Sequence, residues 1–123
     1  MLRDGFNHGF DEKSWEAGKD EARKVMYAVA KRRRTIAYSE LVEKIASVRM
    51  EAHDVRLAHF LGEIATEDDD NGLGLTTVVV VHKRGDQQPG PGFFELAAEL
   101  GRDVSDPVAC WIEELNAVYD EWA

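Results

Sequence analysis

The strongest constraint on the fold is a run of four valines at residues 78–81, in the stretch VVVVHKRGDQQPGPGFFELA. Uninterrupted β-branched residues are typical of a strand that is buried on both faces. A basic tripeptide and a loop with two prolines follow the valines. Because proline fixes φ and glycine permits positive φ, this loop predicts a sharp corner that returns Phe93 and Phe94 to the core.

Helical periodicity accounts for most of the remaining chain. Caps and apolar spacing predict helices that begin at Ser14, Ser39 and Asp54, a short helix over residues 93–100, and a C-terminal helix opened by Ser105-Asp106-Pro107. Residues 35–38 predict a short strand, residues 75–83 predict a second strand, and the acidic residues 66–74 predict a turn. The C-terminal helix has the strongest apolar stripe, so we expect it to pack heavily against the body.

The length of the chain and the order of these elements predict the fold class. A chain of 123 residues with 44% hydrophobic residues is the size of one domain and can fill one core. The order helix, short strand, helix, turn, helix, strand, basic loop is that of a winged helix-turn-helix domain. We therefore predict an α+β fold over residues 14–123, with a winged helix-turn-helix-like core, a small β-sheet and an added C-terminal helical element. Residues 1–13 are predicted to be a flexible N-terminal arm.

The composition also predicts where the protein works. No apolar run is long enough to cross a membrane, and the first residues lack the apolar segment of a signal peptide. The single cysteine, Cys110, cannot form an internal disulfide and lies among apolar helix positions. We expect a cytoplasmic protein that has no membrane partner, in which Cys110 packs in the core.

Charge is unevenly distributed along the chain. The formal net charge is -9, which argues against a protein that simply coats DNA. However, residues 19–34 contain seven basic and two acidic side chains, whereas residues 95–123 contain eight acidic side chains and one basic. One side of the molecule can therefore be basic although the whole is acidic.

Two short motifs resemble a known family. TIAYSELVEKI and VVVVHKRG are similar to the winged-helix domain of methylguanine-DNA alkyltransferase-like proteins, over about residues 35–92. His82 and Lys83 match that family's His-Arg pair, but Val80 and Val81 stand where it has Pro-Cys. The missing acceptor cysteine excludes alkyl transfer by the family's route. The chain also resembles small bacterial proteins that share Tyr-Ser-Glu-Leu, Val-His-Lys and Gly-Phe-Phe-Glu-Leu-Ala, a resemblance that implies no activity.

The first functional hypothesis is a non-catalytic, nucleic-acid-binding or regulatory accessory protein, with DNA as partner. Its candidate contacts are basic residues of the predicted first helix end, third helix and loop: Arg32, Arg33, Arg34, Arg56, His59, Lys83 and Arg84. Such side chains would contact phosphates and base edges. The same residues can equally form an ordinary solvated surface, and the acidic residues Glu63 and Asp68 to Asp70, at or just beyond the end of the third helix, would repel a duplex.

Two other hypotheses remain open. In the first, the C-terminal helix leaves apolar surface for a protein partner or a second copy of the chain, which makes the protein an interaction or dimerisation module. In the second, the protein is a small enzyme that uses His82 with a nearby glutamate, for which Glu40 and Glu63 are the candidates.

No cofactor or metal is predicted. The four histidines lack metal-ligand spacing. The segment EDDDNG places Glu67, Asp69, Asn71 and Gly72 at positions 1, 3, 5 and 6 of a calcium loop, but position 12 is Val78 instead of a glutamate. We therefore interpret it as an acidic turn.

Overall fold

The computed structural model describes residues 6–7, 10–51, 54–82 and 90–122. Within them the helices are α1 (Glu12–Lys31), α2 (Tyr38–Glu43), α3 (Val55–Asp70), α4 (Pro91–Glu99) and α5 (Pro107–Glu121), together with a 3-10 turn at Thr76–Val79. The strands are β1 (Phe6–Asn7), β2 (Phe10–Asp11), β3 (Ile36–Ala37) and β4 (Val80–Val81).

The α+β class is confirmed, and α1, β3, α2, α3, β4, α4 and α5 follow one another in the predicted order, but β1 and β2 were not predicted. Strands β3 and β4 form a parallel pair, in which Ile36 lies opposite Val80 and Ala37 opposite Val81. Strands β1 and β2 form a separate antiparallel pair. None of the helices in the described residues combines the length and the apolar composition needed to cross a membrane.

The valine run is buried as predicted, but only half of it is a strand. Residues Thr76–Val79 form the 3-10 turn, and only Val80–Val81 pair with β3. Helices α1, α3 and α5 all pack against this turn, so its side chains are enclosed by helices. Strand β3 has two residues, and both pair with β4. The 3-10 turn forms a local hydrogen bond instead, in which the Val78 amide donates to the Leu75 carbonyl at 2.9 Å.

Helix starts agree with the sequence at α3 and α5 and differ from it at α1 and α2. Asp54 caps α3 by accepting from the Arg56 amide at 2.9 Å, and Asp106 with Pro107 opens α5 as predicted. Ser14 is not the cap of α1: its amide donates to Asp11 at 2.7 Å, and the helix begins at Glu12. Helix α2 likewise begins one residue before Ser39.

The prediction of a turn from residue 66 is wrong, because α3 continues to Asp70. Consecutive carboxylates at the end of a helix are unfavourable in isolation, since they repel one another and meet the negative end of the helix dipole. Here Arg23 of α1 pairs with Glu67 and Asp68, and Arg102 pairs with Asp69. These tertiary ion pairs stabilise the last turn of α3.

The core lies where α1 crosses α3. Trp15 and Phe60 are fully buried and meet edge to face, with ring centroids 5.1 Å apart. Helix α5 packs against this body less completely than its apolar stripe predicts. Val118 and Tyr119 are buried, but Val108 and Ile112 are each 46% exposed.

Candidate binding groove between α3 and α4

An open groove of about 760 Å³ lies between α3 and α4. Its apolar floor comes mainly from one face of each helix: Leu57, Ala58, Leu61 and Gly62 of α3, and Phe93 and Leu96 of α4. Tyr38, His82 and Gly90 also line it. Its volume lies within the range of about 300–1,000 Å³ that is usual for ligand pockets.

Small residues keep the α3 wall open. Ala58, Gly62 and Thr66 recur every four residues and therefore lie along one face of the helix. A Cβ atom added at Gly62 would meet no atom within 4 Å. Glycine inside a helix costs about 0.5–1 kcal/mol relative to alanine, and at Gly62 no packing constraint explains this cost. The glycine maintains free space at the groove.

The charged residues of the groove are almost all acidic. Five carboxylates line it: Asp54, Glu63, Glu67, Glu95 and Glu99. No lysine or arginine is among the described lining residues, which include two histidines, His59 and His82. The groove therefore combines an apolar floor with an excess of negative charge.

A buried lysine lies behind the α3 carboxylates. The Nζ atom of Lys19, which is only 1% exposed, lies 3.1 Å from Glu63 and 2.9 Å from Glu67. Trp15 also donates to Glu63, at 2.8 Å. Burial alone would lower the pKa of Lys19, but its hydrogen bonds with carboxylates, that with Glu67 foremost, outweigh burial and leave this pKa raised. Likewise burial would raise the pKa of Glu67, yet Lys19 and Arg23 hold it below its usual value.

A second cluster connects α1, α3 and the 3-10 turn at Asp68. Arg23 donates to this buried carboxylate at 3.1 Å, the Tyr27 hydroxyl donates at 2.9 Å, and the Thr76 hydroxyl also donates to it. Burial, followed by the hydrogen bond to Asp68, raises the pKa of Tyr27 to about 12. The two clusters fix the orientation of α3 against α1, so the groove has one rigid wall.

The start of α4 is held by Tyr38. Its hydroxyl accepts a hydrogen bond from the Gly90 amide at 2.9 Å, and burial raises its pKa. The His82 ring lies 5.2 Å from the Tyr38 ring, centroid to centroid. His82 is exposed and lines the same groove as Glu63, but no carboxylate of the described residues accepts a hydrogen bond from it. This part of the groove positions α4.

The predicted nucleic-acid contacts lie in separate places. Arg32 and Arg34 are exposed beyond the end of α1, while Arg33, at φ 55°, pairs with Asp120 at 3.3 Å and lies over the Tyr119 ring. Arg56 lies over the Phe10 ring, near the start of α1. Since α1 has 20 residues, about 30 Å separates its two ends.

The other predicted contacts have different surroundings. Arg56 also pairs with Asp54 at 2.6 Å, so its charge is partly neutralised. His59 is exposed and lines the groove. Lys83 and Arg84 lie outside the described residues. The predicted basic residues that the structure describes are thus not gathered into one continuous patch.

The calcium-loop carboxylates are also engaged by the protein. Glu67 bonds to Lys19 and Arg23, and Asp69 accepts from Arg102 at 2.6 and 2.9 Å. Among residues with a described position, no group of three or more His, Cys, Asp or Glu side chains could hold a metal ion.

Sequence reasoning missed the groove. The signal was present in Ala58, Gly62 and Thr66, three small residues at helical spacing, and in Glu95 and Glu99, two glutamates four residues apart. These patterns indicate a groove only once α3 and α4 are known to face one another.

Comparison of the chain with protein-family models, with curated proteins and with solved structures finds no match.

Proposed function

We propose that this protein is a non-catalytic interaction module that binds a helical segment of a partner protein in the groove between α3 and α4. The observation that carries the proposal is the open apolar floor at Gly62, where the helix leaves space that its own packing does not require. An amphipathic helix that places its apolar face in a hydrophobic groove is a common mode of peptide recognition.

The shape of the groove favours a helix over an extended strand. Both walls are helices, and the described sheets have only two strands each, both short. Small residues at Ala58, Gly62 and Thr66 would let the backbone of a third helix approach α3 closely. The apolar side chains of Leu57, Leu61, Phe93 and Leu96 would then supply the hydrophobic contacts.

Nucleic-acid binding through a winged-helix surface is the second candidate. It is favoured by the exposed residues Arg32 and Arg34, neither of which forms an ion pair with another described residue. Against it, α3 is the helix that would enter a DNA groove, and its carboxylates Glu63 and Glu67 are about half exposed. Phosphates approaching that face would be repelled.

The proposed function can be tested by selection from a displayed library of helical peptides 16 residues long, the length of α3. We expect the wild-type protein to enrich amphipathic binders. The Gly62→Leu variant should lose at least tenfold in affinity for them, because its side chain fills the groove. The matched control is Ala98→Leu, which adds the same side chain to an exposed position of α4 that does not line the groove.

The amide resonances that shift on binding should map to α3 and α4. Failure to enrich any helical peptide, or equal losses in both leucine variants, would overturn the proposal. Titration of the same protein samples with duplex DNA tests the second candidate. Steeply salt-dependent binding that Arg32→Glu and Arg34→Glu abolish would support it over the groove.

A further inference from the structure

We infer that the segment bound by the groove is a basic amphipathic helix of a partner protein, with an apolar face toward the floor and lysine or arginine along both edges. This inference rests on the proposed function and adds the chemistry of the partner.

The α4 wall carries two glutamates whose negative charge no described side chain balances. Glu95 and Glu99 are exposed, line the groove, and form no ion pair or hydrogen bond with any other described side chain. Like charges four residues apart destabilise a helix, by about 0.2–0.5 kcal/mol. Glu99 is also the last residue of α4, where the helix dipole disfavours an anion.

The nearest arginine in the sequence does not relieve this repulsion. Arg102 directs its guanidinium at Asp69, at 2.6 and 2.9 Å, and at Glu114, at 3.3 Å. It therefore connects α3 with α5 and leaves the α4 glutamates to solvent. A cation supplied by a bound partner would remove both the like-charge repulsion between Glu95 and Glu99 and the unfavourable dipole interaction at Glu99.

The α3 wall is only partly neutralised. The side chains of Glu63 and Glu67 remain 40% and 46% exposed although Lys19 lies behind them. Both described hydrogen bonds of Glu63 use its Oε1 atom, so Oε2 is available to a further donor. A lysine or arginine at the edge of a bound helix would find an acceptor on either side of the groove.

These charges decide between possible occupants. A nucleic acid or other phosphate ligand would meet carboxylates on both walls. A second copy of this chain would have to offer α5, whose exposed apolar residues are Val108 and Ile112. That helix contains four acidic residues and no basic one, so the two copies would repel each other. A basic helix satisfies both the apolar floor and the acidic walls.

The test uses three synthetic amphipathic peptides of 16 residues that share one leucine face and carry lysine, glutamine or glutamate on the flanks. The probe for the inference is the lysine peptide. We expect it to bind the full chain at least tenfold more tightly than the glutamine peptide, and the glutamate peptide to bind most weakly. The preference should shrink as salt rises, because these charges are exposed to solvent.

Charge reversal identifies which carboxylates act. The double variant Glu95→Lys and Glu99→Lys should weaken the lysine peptide about tenfold and improve the glutamate peptide. The control is Glu113→Lys with Glu121→Lys, two exposed α5 positions that alter the net charge equally without lining the groove. This control should leave the order of the three affinities unchanged.

The outcomes distinguish a wrong charge preference from a groove that binds no helix. If all three peptides bind with equal affinity and Gly62→Leu blocks them, the groove binds helices but the inferred charge preference is wrong. If the α5 control loses affinity as much as the α4 variant, the effect is that of net charge, and the inference is also wrong. If none of the peptides binds and the helical library yields no binder, the proposed function itself fails.

Discussion

Two glycines in the middle of helices have opposite surroundings. Gly62 of α3 faces the open groove, whereas Gly18 of α1 lies against the core, where an added Cβ would be 2.7 Å from Cγ2 of Val48. Removing a helical glycine gains about 0.5–1 kcal/mol, and overpacking a core costs about 1–3 kcal/mol. We therefore expect Gly62→Ala to stabilise the protein and Gly18→Ala to destabilise it.

The measurement is the free energy of unfolding in urea for both variants, which serve as controls for each other. The expected difference between them is at least about 1 kcal/mol. Equal stabilisation by both substitutions would mean that Val48 yields easily and that Gly18 is not needed for the packing of α1 against Val48. A loss of stability in Gly62→Ala would mean that the groove is less open than the structure shows.

At the scale of elements, Tyr38, the first residue of α2, connects α2 with the start of α4. In Tyr38→Phe the half-buried Gly90 amide loses its acceptor, which costs about 0.5–1.5 kcal/mol. We expect faster amide hydrogen exchange at Gly90 and Phe93, and weaker peptide binding, because α4 forms one wall of the groove. The matched control is Tyr119→Phe, which removes a hydrogen bond of 2.7 Å to the Arg34 carbonyl.

Both tyrosine variants should lose similar stability, but only Tyr38→Phe should speed exchange in α4. Equal exchange in both variants would show that α4 keeps its position without Tyr38. The distinction matters because a general loss of stability and a loosened groove wall would both reduce binding.

Most features determined by neighbouring residues could be predicted from the sequence, although the Asp11 cap of α1, which is equally local, was not. The caps at Asp54 and Asp106 and the Pro107 helix start follow from local hydrogen bonding, and the structure has all three. The end of α3 and the 3-10 turn could not be predicted, because they depend on contacts across the chain. Lys19 shows the limit most clearly: its burial depends on glutamates more than 40 positions away.

The candidate site was hidden from the sequence for the same reason. The nucleic-acid hypothesis started from runs of basic residues, which are visible as letters. The groove instead requires two helices that face each other across an open space, and its unbalanced glutamates become evident only once Arg102 is seen to pair with Asp69 and Glu114. A run of basic residues shows only that the charges are adjacent in the sequence. A binding surface depends on which charges remain unpaired after folding.

At the scale of the whole molecule, ion pairs and buried tyrosines make stability depend on pH in two directions. The pKa of Glu21 is lowered by hydrogen bonds from Ser47, and that of Asp69 by hydrogen bonds from Arg102. Burial would raise the pKa of Glu67, but its hydrogen bonds with Lys19 and Arg23 lower it. A lowered pKa contributes stability above the ordinary carboxyl value of about 4. That contribution disappears as pH falls through the lowered values, so the protein should lose stability in acid.

Tyrosines act at the opposite end of the pH range. The pKa of Tyr27 is raised to about 12, chiefly by burial, and burial also raises those of Tyr38 and Tyr119. A raised pKa contributes stability that is complete below the ordinary tyrosine value of about 10 and is lost as pH rises to about 12. The free energy of unfolding should therefore be nearly constant between about pH 5 and pH 9 and fall on either side.

Two variants assign the two sides of this profile. Tyr27→Phe keeps the stacking on Trp122, whose ring is 4.2 Å away, but removes the titrating hydroxyl. It should reduce the alkaline loss by on the order of 1 kcal/mol, after screening at this half-buried site, and leave the acid loss unchanged. Glu21→Gln, which replaces the carboxylate that accepts hydrogen bonds from Ser47, should flatten the acid side alone. Urea unfolding followed by circular dichroism across pH measures both, and an alkaline loss unaffected by Tyr27→Phe would exclude the Asp68 cluster as its origin.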